Sequence, residues 1–195
     1  MDEITVTVLI IVIITILYFL YWLISNHNMV YITSDIDGES YLVRDVPDKR
    51  TAVNILAKIR QNMNKLSDVL YQNIDKYKEH KDHIIQLHEG LKNCVLSESS
   101  ENNVYTSYSV NKGEQIVFCL RSKLIDTIHD FNLIMYVVLH EMAHVACPEV
   151  GHTELFKKIF AFLATEAVNM NLYTKIDFNA NNQEYCGLTI TDSII

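Results

Sequence analysis

Five consecutive residues, His140-Glu141-Met142-Ala143-His144, put two imidazoles and a carboxylate where one helix can use them together. Positions i and i+4 stack one turn apart on a helix face, so His140 and His144 can offer ring nitrogens to a single metal ion. Glu141 lies about 100° further round the helix. From there its carboxylate reaches a water at the metal without competing as a ligand, and it can take the proton as that water attacks a carbonyl. The chemistry this pattern points to is hydrolysis assisted by one Zn2+ ion.

A hydrolytic zinc needs a third protein ligand and an open fourth position. His152 is the first candidate. Pro148 ends the helix within a turn of His144, and Gly151 gives the chain a flexible point at which to fold back. Cys147 is a rival on the face of both histidines, but it lies about 10 Å along the axis from His140. Glu154 and Glu166, carboxylates that a second helix would bring, rank below His152. The spacing departs from HExxHxxGxxH, because Cys147 and Val150 stand where that pattern has its glycine and third histidine. A purely structural zinc is disfavoured by the lack of any CxxC pair. Residues 131–139 are apolar on nearly every face, as a buried central helix requires. The competing reading is two buried histidines satisfied by carbonyls, with Glu141 at the surface. Tyr185, Tyr173 and His129 are equal candidates to stabilise the oxyanion of a tetrahedral intermediate, although residues of these types are more often structural.

These residues must be carried by a domain behind an N-terminal anchor. Residues 4–24 run without a charge and extend about 31 Å as a helix, enough to cross a bilayer core. Tyr18, Tyr21 and Trp22 gather at the C-terminal end, where amphipathic rings favour the headgroup level. The run is too long for a signal-peptide core, and its acidic flank (Asp2, Glu3) is wrong for one. The sequence thus predicts a transmembrane anchor over residues 1–25 and one domain over residues 26–195. All sixteen Lys and Arg residues follow the span, a weak bias placing that domain in the cytosol. Cys94, Cys119, Cys147 and Cys186 are scattered, as in a reducing compartment, although an even count also permits two bridges. Asp2 and Glu3 are two of the 24 acidic residues, so beyond the anchor 16 basic side chains face 22 acidic ones. No basic run stands out, which excludes nucleic acid as an expected direct partner.

Within the domain, residues 30–33 and 41–43 read as a hairpin around Asp37-Gly38. Pro47-Asp48 opens a helix whose Val53, Leu56, Ile59, Met63, Leu66 and Leu70 form one stripe. Residues 72–93 are polar and read as helical, with His80, His83 and His88 as solvated side chains. Strands are predicted over 104–110 and 115–120, around the turn 111–114. An exposed edge there can bind an extended peptide, or both strands can simply pack the core. Thr153 is placed to cap a helix running to about Leu172.

The combination HEMAH, Gly151-His152 and Phe156 resembles the SprT/WLM-type zincin-like metallopeptidases. The wider set YTSYSVNKGEQIVFCLRSK, HEMAH, GHTELF, DF and YCG is similar to a group of small, one-span zinc metalloproteases of large DNA viruses. The resemblance implies an α+β zincin-like fold, a small mixed or antiparallel sheet with a buried HExxH helix. It also implies His140, His144 and His152 as zinc ligands, Glu141 as the base, and a peptide or protein as substrate. SprT and WLM relatives often act on DNA-bound proteins, a substrate class that an acidic, tethered chain does not suit. The expected protein is a membrane-anchored metalloprotease of a virion or host membrane, with viral capsid or membrane proteins as further partners. The rival is a structural virion membrane protein that keeps the fold without turnover.

Overall fold

The computed structural model describes the backbone of residues 3–26 and 28–195 and the side chains of residues 4–21 and 28–195. Asp2, Glu3 and Trp22, used above to read the anchor, lie outside the described side chains. Helix α1 (Glu3–Asn26) is long and apolar enough to cross a membrane, and none of its described side chains is buried.

The chain then forms β1 (Met29–Thr33), β2 (Ser40–Arg44), α2 (Lys49–Gln72), α3 (Lys81–Leu91), β3 (Val95–Glu98), β4 (Tyr108–Val110), β5 (Gln115–Phe118), α4 (Phe131–Ala146), α5 (Glu154–Asn169) and a terminal hairpin, β6 (Gln183–Tyr185) and β7 (Leu188–Ile190). Strands β1 to β5 make one mixed sheet in the order β1-β2-β3-β5-β4. Strands β2, β3 and β5 are parallel, and β1 and β4 are antiparallel edges. The fold is α+β. The stripe on α2 is buried along its length, and α2, α3 and α5 all pack against α4 or the sheet. Apolar surface on four helices and one sheet face thereby leaves water, and this burial is the main force favouring the compact state.

Some elements depart from the sequence expectation. Residues 72–93 break into two short 3-10 turns (Ile74–Lys76, Lys78–His80) before α3. The strand expected from residue 104 begins only at Tyr108, because the Asn103 side chain accepts from the Tyr105 amide and turns the chain out, leaving Val104 and Tyr105 exposed. Strand β3 has no counterpart in the sequence expectation: four residues ending in Ser97-Glu98 carry little apolar pattern. Both are nonetheless buried. Glu98 accepts from the Arg44 amide at 2.8 Å and from Arg121 Nε at 2.7 Å, so the strand's polar end is satisfied internally.

The cysteine reading is corrected at one pair. Cys119 and Cys186 form a disulfide across 67 residues, while Cys94 and Cys147 are buried free thiols. The bridge exists because the β6–β7 hairpin folds back onto the end of β5, a long-range approach that spacing does not reveal.

Candidate metal centre

Helix α4 starts at Asp130, whose carboxylate accepts from the amides of Asn132 and Leu133, an N-cap of the usual kind. Its apolar residues hold it inside the fold, with α2, α3 and α5 around it. It ends at Cys147, where the backbone becomes extended ahead of Pro148. Gly151 takes a left-handed φ of +85°, which an L side chain adopts only with strain, and this reverses the chain. His152 comes next. Thr153 then accepts from the Phe156 amide and starts α5.

This path brings the three histidines together. Their Nε2 atoms lie 3.1 Å (His140 to His144), 3.1 Å (His144 to His152) and 3.0 Å (His140 to His152) apart. The spacing has hydrogen-bond length, but three nitrogens facing one point cannot all pair with one another. Burial, followed by the neighbouring imidazoles, pushes His140 down to about 3. Burial, His152 and then Lys112 push His144 down to about 4. Neutral rings therefore present lone pairs to a common centre, an arrangement that a cation relieves. Tetrahedral zinc with Zn–N near 2.0–2.1 Å sets its nitrogens about 3.3 Å apart, close to what is found here. The donor set fits zinc. Phe156 stacks on His144 and meets His140 and His152 edge-on, which fixes the ring orientations.

Glu141 is 3% exposed. Its Oε2 has no hydrogen-bond partner among the described residues, and burial raises its carboxyl to about 7, with Ser109 easing the rise. A buried carboxylate oxygen without a donor is costly, and such groups gather at sites of chemistry.

The end of α4 is held from outside. Lys112 Nζ, from the β4–β5 turn, donates to the carbonyls of His144 (3.1 Å), Cys147 (2.6 Å) and Glu149 (2.8 Å). Gln86 Nε2 donates to those of Val145 (2.8 Å) and Cys147 (3.3 Å). The turn can come this close because Gly113 meets Gly90 of α3 backbone to backbone, where a Cβ would collide with the Gly90 carbonyl. Ammonium on the last carbonyls of a helix is favourable, and here it also fixes the loop that returns His152. The sequence reading missed both residues. Asn111-Lys112-Gly113 signals a turn, but not where the lysine reaches.

The histidines and Glu141 open into a cleft of about 900 Å³, walled on one side by α4 and on the others by β4 and β7. Tyr185 borders it. Its hydroxyl pairs with Ser107 Oγ at 2.8 Å, and burial raises its pKa, with Glu141 close enough to add to the effect. The other two oxyanion candidates have different surroundings. Tyr173 is buried beside Tyr136, and its hydroxyl oxygen accepts from the Ile176 amide. His129 Nε2 accepts from the Cys186 amide behind Tyr185. Neither lines the cleft.

The rival ligands are engaged elsewhere. Glu154 pairs with Lys157, Glu166 accepts from the Tyr77 hydroxyl, and Cys147 lies outside the histidine cluster. His80 stacks on Phe162 and His88 on Tyr71, also apart from it.

No protein-family profile matches the chain. "Uncharacterized protein R325" of Acanthamoeba polyphaga mimivirus is 47% identical over 165 residues, covering 85% of this chain and 84% of that protein. "Uncharacterized protein 136R" of Invertebrate iridescent virus 6 is 41% identical over 69 residues, 34% of this chain and 38% of that protein. Among solved structures, Wss1 from Saccharomyces cerevisiae is similar, with a TM-score of 0.48, 20% identity and coverage of 65% of this chain and 84% of that one.

Proposed function

The chain belongs to the protein family of mimivirus protein R325, and from that premise we propose that it is a zinc-dependent peptidase anchored in a membrane by residues 1–25, with residues 26–195 as the catalytic domain. The observation that carries this reading is the unpartnered Glu141 oxygen beside three converging imidazole nitrogens, at the floor of a cleft.

His140, His144 and His152 would hold the ion. Zinc, when bound, supplies a Lewis acid that makes water a nucleophile near neutral pH and polarises the scissile carbonyl. Glu141 accepts the proton of the attacking water and returns it to the leaving amine. It stands outside the three-histidine cluster, and its burial gives it a proton affinity suited to neutral pH. Tyr185 remains protonated, so its hydroxyl can donate to the developing oxyanion. Strand β4 is a sheet edge along the cleft, suited to pairing with an extended peptide. The Cys119–Cys186 bridge favours an oxidising environment for the domain, against the cytosolic side suggested by charge bias.

The test is peptide hydrolysis by the full chain in detergent or vesicles. Glu141→Gln should keep zinc and fold while losing essentially all cleavage, because the amide cannot accept the proton. A Glu141→Gln variant that cleaves as well as the parent would overturn the reading. Parent protein that holds zinc but cleaves nothing across a broad peptide library would favour the structural virion role instead.

A further inference from the structure

Two loops leave the same end of the sheet and carry apolar side chains into solvent. The loop after β3 exposes Val104 (89%) and Tyr105 (68%), and the loop after β5 exposes Leu124 (74%) and Ile125 (71%). The loops are tied together. Lys123 Nζ donates to the Asn103 carbonyl at 2.7 Å, and Arg44 bridges Asp126 at 2.8 Å and Glu101 at 3.4 Å. Four large apolar side chains on two linked loops are more than the scattered exposure of an ordinary surface.

Their position is what gives them meaning. Parallel β2, β3 and β5 end together, since Glu98 aligns with Phe118, and the Arg44 amide reaches the Glu98 carboxylate. Antiparallel β1 begins at that same end, with Met29 opposite Arg44 and the Asn28 carbonyl accepting from the Asp45 amide. Helix α1 ends at Asn26, two peptide units before Asn28, which limits their Cα separation to about 7 Å. The exit of the apolar helix and the two apolar loop tips therefore share one edge of the domain.

We propose that Val104, Tyr105, Leu124 and Ile125 rest in the headgroup layer of the bilayer that α1 crosses, so that the domain is held on the membrane at a second place. The inference rests on reading α1 as a membrane span. The groups facing this surface are mixed, Lys123 and Arg44 against Glu101 and Asp126. The attraction is thus apolar, and zwitterionic lipid suffices; Tyr105 suits the interfacial depth, with an apolar ring and a polar tip. The loop that carries Val104 continues through Thr106 and Ser107 into the cleft wall. Seating the tips therefore brings one end of the cleft beside the headgroups, where it meets polypeptide lying close to the membrane.

The experiment uses the full chain in phosphatidylcholine vesicles, with an environment-sensitive fluorophore on a single introduced cysteine. Cys94 and Cys147 are buried and Cys119 and Cys186 are bridged, so the native thiols are protected. Labels at V104C and L124C should lose most of their emission to lipid-borne nitroxide and resist aqueous iodide, while a label at K65C, exposed on α2, does the opposite. A label at I13C in α1 reports the anchor independently. Quenching of I13C by lipid, with V104C and L124C as open to iodide as K65C, overturns the second contact and leaves the anchor standing. Protection of V104C and L124C from iodide without lipid quenching would mean that protein covers the tips, which also overturns it. An I13C label that lipid does not quench removes the span, and this inference with it.

Discussion

Two buried carboxylates in this molecule differ in everything except burial. Glu98, 2% exposed, sits at the end of β3 with the Arg121 guanidinium on one oxygen and the Arg44 amide on the other, and Arg121 goes on to Asp48 at 2.6 Å. Glu141, 3% exposed, has among the described residues no cation acting on it and one oxygen without a donor. Burial pushes both carboxyls up; Arg44 and Arg121 pull Glu98 the other way, whereas at Glu141 only the Ser109 hydroxyl does. The fold thus satisfies the carboxylate that joins β2 to β3 and leaves open the one that faces the cleft. A buried acid is a functional candidate when its partners are missing, and a structural one when they are present.

The contrast can be broken most forcefully at Arg121. Arg121→Met leaves Glu98 buried without its cation, and should destabilise the domain by about 3–5 kcal/mol in urea unfolding. An unchanged midpoint would mean that the network contributes nothing to stability. Breaking the bridge with Cys119→Ser and Cys186→Ser together should cost about 4 kcal/mol for a closed loop of this length. If the bridge also holds the Tyr185 wall, the paired variant should bind peptide more weakly at unchanged zinc content.

Removing the charge of Glu141 should do the reverse. Its folded carboxyl is raised to about 7 from an ordinary 4.5, so the folded chain keeps a proton that the unfolded chain has released. Without metal, this group's contribution is fully present below pH 4.5 and is lost as pH rises through 7, a change of about 3 kcal/mol. Melting curves in chelator should therefore show Glu141→Gln gaining on the parent across that window; parallel curves would show that Glu141 is not strained. The smallest expected effect is at Lys112. Lys112→Met frees the carbonyls at the end of α4, and should lower zinc affinity about tenfold with about 2 kcal/mol lost in stability. Stability lost with affinity unchanged would make Lys112 a helix cap and nothing more.

The histidine and Glu141 side of the site was legible in the sequence, because it is built from local rules. The i and i+4 spacing puts His140 and His144 on one face. Pro148 and Gly151 turn the chain, and Thr153 starts the next helix. The opposite wall was not legible. Tyr185 meets Ser107 across 78 residues, Lys112 meets His144 across 32, and Cys119 meets Cys186 across 67. No periodicity encodes those approaches, so Tyr185, Tyr173 and His129 look alike in the sequence and only the fold separates them. Strand β3 was hidden for a related reason, since Glu98 is buried by partners far along the chain and not by its own apolarity.

In the proposed centre three imidazoles, and no thiolate, hold one zinc ion beside Glu141. X-ray absorption at the zinc edge, on the full chain loaded with one equivalent, reads the donor set directly. The geometry predicts nitrogen scatterers at about 2.0–2.1 Å with imidazole multiple scattering from three rings and one further oxygen, and the loss of one ring in His152→Ala. A sulfur shell at about 2.3 Å, assigned to Cys147 by its loss in Cys147→Ser, or a chain that takes up no zinc at all, would contradict it.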